Sequence, residues 1–169
     1  MKEEMLFQQM EFIRERTIAA LDATTEELAD VMPNGFRNSI RWNLGHIYIA
    51  QENLLHRFIG EEPGLPEHCL ELFQFNTNPT IWEHTPPSLT ELRDLLVEQP
   101  NKIKDKFTGR LDEVGKKPFN LTDKVQFTTL GEVLSFTNWH EGLHQGTITT
   151  IKRAQGIENL WEIPTNNLR

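Results

Sequence analysis

Four stretches of this chain repeat their apolar residues every three or four positions, and that period restricts the fold more than any other feature. Each such stripe is the buried face of an amphipathic α-helix, which needs another apolar face to cover it. In the first stretch Leu6, Met10, Ile13, Thr17, Ala20 and Leu21 keep the period until Thr24 and Thr25 interrupt it. The following TEELAD predicts one short helical turn that stops before Pro33-Asn34-Gly35. A second helix is expected from Asn38 or Ser39, both good N-caps, to Gly60, a natural stop. Its core stripe is Ile40, Leu44, Ile47, Leu54, Leu55 and Phe58.

Residues 61–87 hold Pro63, Pro66, Pro79, Pro86 and Pro87, so they read as a long crossover loop with short helical turns around CLELFQF. Ser88-x-x-Glu91 is a capping box that opens the third helix, continued by Leu92, Leu95, Leu96, Ile103 and Phe107. Pro100 lacks an amide proton and predicts a kink in that helix rather than its end. Residues 112–128 show no period and are expected to be loop. The valines and threonines near 121–129 are the only candidate strand and are set aside. Thr129-x-x-Glu132, a second capping box, opens a last helix running to about Gln155, with Gly156 as its stop. Four amphipathic helices with two long connections predict an all-α four-helix bundle with crossovers, one domain over residues 1–169.

The bulk properties narrow the setting. With 37% hydrophobic and 25% charged residues the chain has a globular balance. Cys69 is its only cysteine, which excludes an intrachain disulfide and a C-x-x-C site and suits a reducing compartment. The opening MKEEMLFQQMEF is too polar for a secretory signal, and no run approaches the roughly 20 apolar residues of a membrane span. A soluble, cytoplasmic protein is expected. Net charge is −8, from 25 acids and 17 bases. The densest basic run, KIKDKFTGR at 102–110, is broken by Asp105 and reads as a solvated helix face. Nucleic acid is therefore not an expected partner; a small neutral or electrophilic substrate is.

On a wheel at about 100° per residue, Val133, Phe136, His140, Leu143, His144, Thr147, Ile148, Ile151 and Ala154 of the last helix share one arc. Ser135, Asn138, Glu141, Gln145, Lys152 and Arg153 occupy the other side. Two histidines one turn apart near the middle of a core face need partners, since an unpaired buried imidazole costs about 1–3 kcal/mol. A lone histidine there would more often bond a carbonyl or carboxylate; a centred i,i+4 pair points instead to a shared divalent cation. His46, at the edge of the second helix's apolar stripe, is a candidate third ligand. His56 falls on the polar side of that helix, and His68 and His84 lie in the long loop, free to face solvent.

Residues 140–144, His-Glu-Gly-Leu-His, also spell the H-E-x-x-H of zinc metallopeptidases. Thr147 stands where a metzincin needs glycine, no histidine follows His144, and only Glu158 or Glu162 remains as a glutamate ligand. Glu141 projects about 100° away from His140, and no edge strand is expected to hold a peptide. These features oppose a peptidase.

The stretches Asn38-Ser39-Ile40-Arg41-Trp42-Asn43-Leu44-Gly45-His46 and Trp139-His140-Glu141-Gly142-Leu143-His144-Gln145-Gly146-Thr147-Ile148 resemble the metal-histidine motifs of the DinB/YfiT-like family of four-helix-bundle proteins. The order of elements, with its T-x-E-E-L turn, is similar over nearly the whole chain. The resemblance implies that His46, His140 and His144 ligate zinc, nickel or another divalent ion. It implies a metal-dependent enzyme that conjugates a low-molecular-weight thiol, such as bacillithiol or mycothiol, to a small electrophile, or a hydrolase on the same site. It also implies a homodimer. Relatives often carry a His or Arg beside the second ligand of the pair, where this chain has Leu143 and Gln145. Three protein ligands leave an open coordination position, which suits catalysis. Asn53 and Thr147 are expected to orient the imidazoles, and Trp42 and Trp139 to line the pocket mouth or pack as bundle aromatics. The opposing possibility is a non-catalytic helical module whose histidines satisfy one another.

Overall fold

The computed structural model describes residues 2–162; Met1 and residues 163–169 of the expected domain lie outside the described residues. In chain order the elements are α1 (Glu3–Asp22), α2 (Glu26–Ala29), α3 (Ile40–Ile59), α4 (Cys69–Phe73), a 3₁₀ turn (Pro79–Ile81), α5 (Leu89–Phe107), β1 (Val114–Asn120), β2 (Gln126–Thr129) and α6 (Leu130–Ala154). The boundaries follow from local chemistry. Ser39 accepts from the Trp42 amide at 3.2 Å to start α3, and Gly60 ends it in the left-handed conformation at φ 77°. Both expected capping boxes form, Ser88 with Glu91 and Thr129 with Glu132. Among the described residues no helix is long and apolar enough to cross a membrane.

The four long helices make an all-α bundle. Helix α1 packs on α5 and α6, and α3 packs on the same two. The chain neighbours α1 and α3 therefore stand across one diagonal, and α5 and α6 across the other. Long connections are what such a topology needs.

One of those connections corrects the expectation of loop over 112–128. Strands β1 and β2 pair antiparallel, with Phe119 opposite Phe127. The hairpin escapes sequence pattern because β1, VGKKPFN, buries no residue fully and carries a glycine and a proline. Phe119 and Phe127 pack it on α6, their rings 5.6 Å from that of Phe136, and Gly115 lies against the Phe58 ring of α3.

The core has three layers. One apolar cluster gathers Leu21, Ile40, Leu44, Ile47, Phe73, Leu92, Leu96, Ile148 and Ile151. A second, at the other end, gathers Leu6, Met10, Leu55, Ile103, Phe107, Leu130 and Val133. Between them lies a buried polar layer. The Arg14 guanidinium donates to Glu141 through Nε at 2.8 Å and Nη2 at 2.9 Å, to Gln99 Oε1 at 2.8 Å and to Gln51 Oε1 at 3.0 Å. Thr17 Oγ1 donates to Glu141 as well. Arg14 Nη1 also donates to the Leu96 carbonyl at 2.9 Å. That carbonyl lies four residues before Pro100, so the proline leaves it without its usual helical donor, and Arg14 takes the vacant place. Helix α5 runs on through Pro100 to Phe107, as expected of a proline that does not end its helix.

The expected polar side of α6 is corrected by this layer. Asn138, Glu141 and Lys152 are all buried. Helix α6 touches α1 and α3 on different sides, so its hydrophilic face is covered too. Glu141 and Lys152 find partners there, and Asn138 Nδ2 donates to Leu6 O while its Oδ1 has none among the described residues. Lys152 Nζ donates to the carbonyls of Ala20 (2.7 Å), Ala23 (2.9 Å) and Leu160 (3.1 Å), tying the C-terminal tail to the end of α1. The Glu162 amide donates to Ala19 O at 2.9 Å, and the Arg16 guanidinium lies over the Trp161 ring. His56, expected on a polar side, is likewise buried and bonds the Glu52 carbonyl at 2.9 Å.

Candidate metal centre

Helices α3 and α6 bring His46, His140 and His144 together. One ring nitrogen from each lies within 4.8 Å of the others, so the group could hold a metal ion. The ring centroids are separated by 5.2 Å (His46–His140), 4.8 Å (His46–His144) and 4.6 Å (His140–His144).

Two of the three rings are fixed from behind. His144 Nδ1 lies 2.7 Å from Asn43 Oδ1. Asn43 Nδ2 donates to the Ser39 carbonyl at 2.7 Å, which sets the amide so that its oxygen faces the imidazole. An oxygen there can only accept, so His144 carries its proton on Nδ1 and offers the Nε2 lone pair. His46 follows the same logic: Nδ1 lies 2.6 Å from the Phe73 carbonyl at the end of α4. The Phe73 ring reaches α3 because residue 45 is glycine; a Cβ there would come within 2.5 Å of it. Trp42 stacks on His46, centroids 4.6 Å apart and planes 10° apart, and its Nε1 donates to Thr77 at 2.8 Å.

His140 Nε2 lies 3.3 Å from His144 Nε2. Without a cation one of the two must be protonated to bridge that gap. Burial lowers the pKa of all three rings: His140 to about 4 and His144 to about 3, each helped by its histidine neighbours, with His46 lowered by burial alone. Three neutral imidazoles at neutral pH, two with Nδ1 committed elsewhere, form a donor set that fits a divalent transition metal.

Three expectations about the surroundings need correction. His140 and His144 are half-buried on the wall of an open pocket of about 350 Å³, not centred in the core, and Leu143 beside them is 50% exposed. The arc drawn on the wheel is rotated from the true core face because Glu141 and Asn138, which look solvent-facing by type, are what α6 buries. The orienting groups are Asn43 and the Phe73 carbonyl instead of Asn53 and Thr147. Thr147 Oγ1 donates back to Leu143 O at 3.2 Å, and Asn53 faces a different surface depression, near Phe58 and Phe119. Asn43 was within reach of sequence reasoning, standing three residues before His46 on one face of α3. The Phe73 carbonyl was not, because it depends on a tertiary approach. Trp42 lines the pocket, whereas Trp139 is 56% exposed and packs on Phe136. Glu141 faces Arg14, away from the imidazoles, and is unable to serve as the base of a metallopeptidase. Gln145, beside His144, reaches back to Thr17 of α1.

Comparison with known proteins agrees with this architecture. The sequence profile of the DinB superfamily matches residues 9–148. Among solved structures, a conserved protein from Enterococcus faecalis is similar in fold: TM-score 0.63, 19% identity, covering 91% of this chain and 97% of that one. No curated protein matches the chain.

Proposed function

The chain belongs to the DinB superfamily, and from that footing we propose that it is a metal-dependent enzyme transferring a low-molecular-weight thiol to a small electrophile. His46, His140 and His144 are its ligands for one divalent ion, zinc or nickel. The observation that carries this is the commitment of His46 and His144 Nδ1 to Phe73 and Asn43, which leaves their Nε2 atoms free for an ion shared with His140, whose ligand atom lies within 4.8 Å of theirs. Such an ion, when bound, supplies Lewis acidity that lowers the pKa of a thiol or of water at its open position.

The chain's own residues supply the rest. Asn43 and the Phe73 carbonyl hold the rings so that little rearrangement accompanies binding. Phe36, Trp42 and Phe75 give the pocket aromatic walls suited to an apolar electrophile. Arg37, on the same rim, puts a positive charge where a carboxylated thiol would enter a chain of net charge −8. The pocket volume, about 350 Å³, suits a small molecule.

Metal analysis of the purified protein is expected to find an equivalent held by the three histidines, and His140→Ala should lose that equivalent. Thiol consumption with a chloronitrobenzene electrophile should require the metal and vanish in that variant. Ester or amide hydrolysis without thiol consumption would reassign the site to a hydrolase. Absence of any tightly held metal would overturn the enzyme altogether and leave a helical module.

A further inference from the structure

Away from that centre, His68, Glu71 and His84 form a second group with one ligand atom each within 4.8 Å of the others. His68 is the N-cap of α4 and Glu71 stands three residues on, so both lie on one side of that short helix. His84 arrives from the loop after the 3₁₀ turn. Its position is set by Trp82, whose Nε1 donates to the Leu72 carbonyl at 2.8 Å and whose ring packs edge-on against Phe73.

Both imidazoles address one carboxylate oxygen. Glu71 Oε2 lies 3.2 Å from His68 Nδ1 and 2.9 Å from His84 Nε2, with the two rings stacked 3.6 Å apart. The other nitrogen of His68, Nε2, lies 3.4 Å from Glu67 Oε1. A carboxylate behind the distal nitrogen is the arrangement that fixes a metal-ligating histidine. The rings are 37% and 38% exposed, so the tilt that brings both lone pairs onto one centre displaces only solvent. An adjoining groove of about 550 Å³ is bordered by Glu67, Glu91, Asp94 and Glu98, which draw cations to it.

We propose that His68, Glu71 and His84 bind a second divalent cation, which staples α4 to the loop at His84. Two imidazoles and one carboxylate select zinc, copper or nickel over magnesium or calcium. The staple has a reason to exist. It closes on the first turn of the five-residue helix whose last carbonyl, that of Phe73, orients His46. A cation there steadies the support of the first site without touching it.

Zinc titration against a chromophoric chelator tests this with the full chain. His140→Ala/His144→Ala protein is expected to retain one zinc equivalent, and adding His84→Ala or Glu71→Gln should remove it. All four positions lie outside the buried core, so circular dichroism should confirm an unchanged fold. Amide exchange over residues 68–85 should slow when zinc is added to the His140→Ala/His144→Ala protein. Failure of that protein to bind zinc would overturn the proposal, as would zinc binding indifferent to His84→Ala and Glu71→Gln. Binding without slowed exchange would overturn the staple.

Discussion

At the scale of single residues, Asn43 has the most leverage on the candidate centre. Its amide is held at both ends, by Ser39 O and His144 Nδ1, while 1% of the residue is exposed. Replacing it with leucine keeps the branched shape and removes the acceptor. The Asn43→Leu protein should fold normally but bind its three-histidine metal about 10–100-fold more weakly, as losses of this type do. Competition with a chelator measures this, and an unchanged affinity would show that the ring needs no such support. His140 and His144 were legible in the sequence as an i,i+4 pair, whereas His46, with no such partner on its helix, was singled out by the likeness of its stretch to a metal-histidine motif. Their supports were less so: an asparagine by type is equally at home in a cap, a turn or a solvated face, and a backbone carbonyl leaves no mark in a sequence.

Among elements, the polar layer couples all four long helices through one cation. Removing a single partner from a buried, hydrogen-bonded ion pair leaves the other charge unsatisfied. Arg14→Met is therefore expected to destabilise by about 3–5 kcal/mol. The double variant Arg14→Met/Glu141→Leu should recover much of that loss, because two apolar side chains leave no orphaned charge. Denaturant unfolding of both variants decides the matter; a double variant as unstable as the single would show that the layer's other hydrogen bonds dominate. The long helices and their caps were readable from period and from Ser39, Ser88, Thr129 and Gly60. The side on which α6 buries Glu141 was not, since residue type alone assigns a charged group to water. The hairpin was only half visible: β2 falls in the candidate stretch near 121–129, while β1 has too little buried surface to impose a pattern.

For the whole molecule, Lys152 decides how the tail is held and how stability responds to alkali. Burial lowers its pKa from 10.5 to about 8. Between those values the unfolded chain keeps a proton that the folded protein has shed, so this group's contribution to stability rises with pH across the window. Relative to Lys152→Met, the wild-type protein should gain stability from pH 8 toward pH 10.5. Parallel unfolding curves at the two ends of that range test it, and equal slopes would mean the ammonium stays protonated throughout. The bundle topology was legible from four stripes and long connections. The docking of Leu160, Trp161 and Glu162 on α1 was not, because an irregular tail bound through carbonyls has no period to betray it.

Pro100 shows how far a missing hydrogen travels. By failing to donate to Leu96, it opens a seat in α5 for a guanidinium from α1, and that guanidinium grips the acid next to His140. The rotation of α6 about its own axis, and with it the aim of two imidazoles into the pocket, is thus anchored by a ring on a helix that contributes nothing to the pocket's wall.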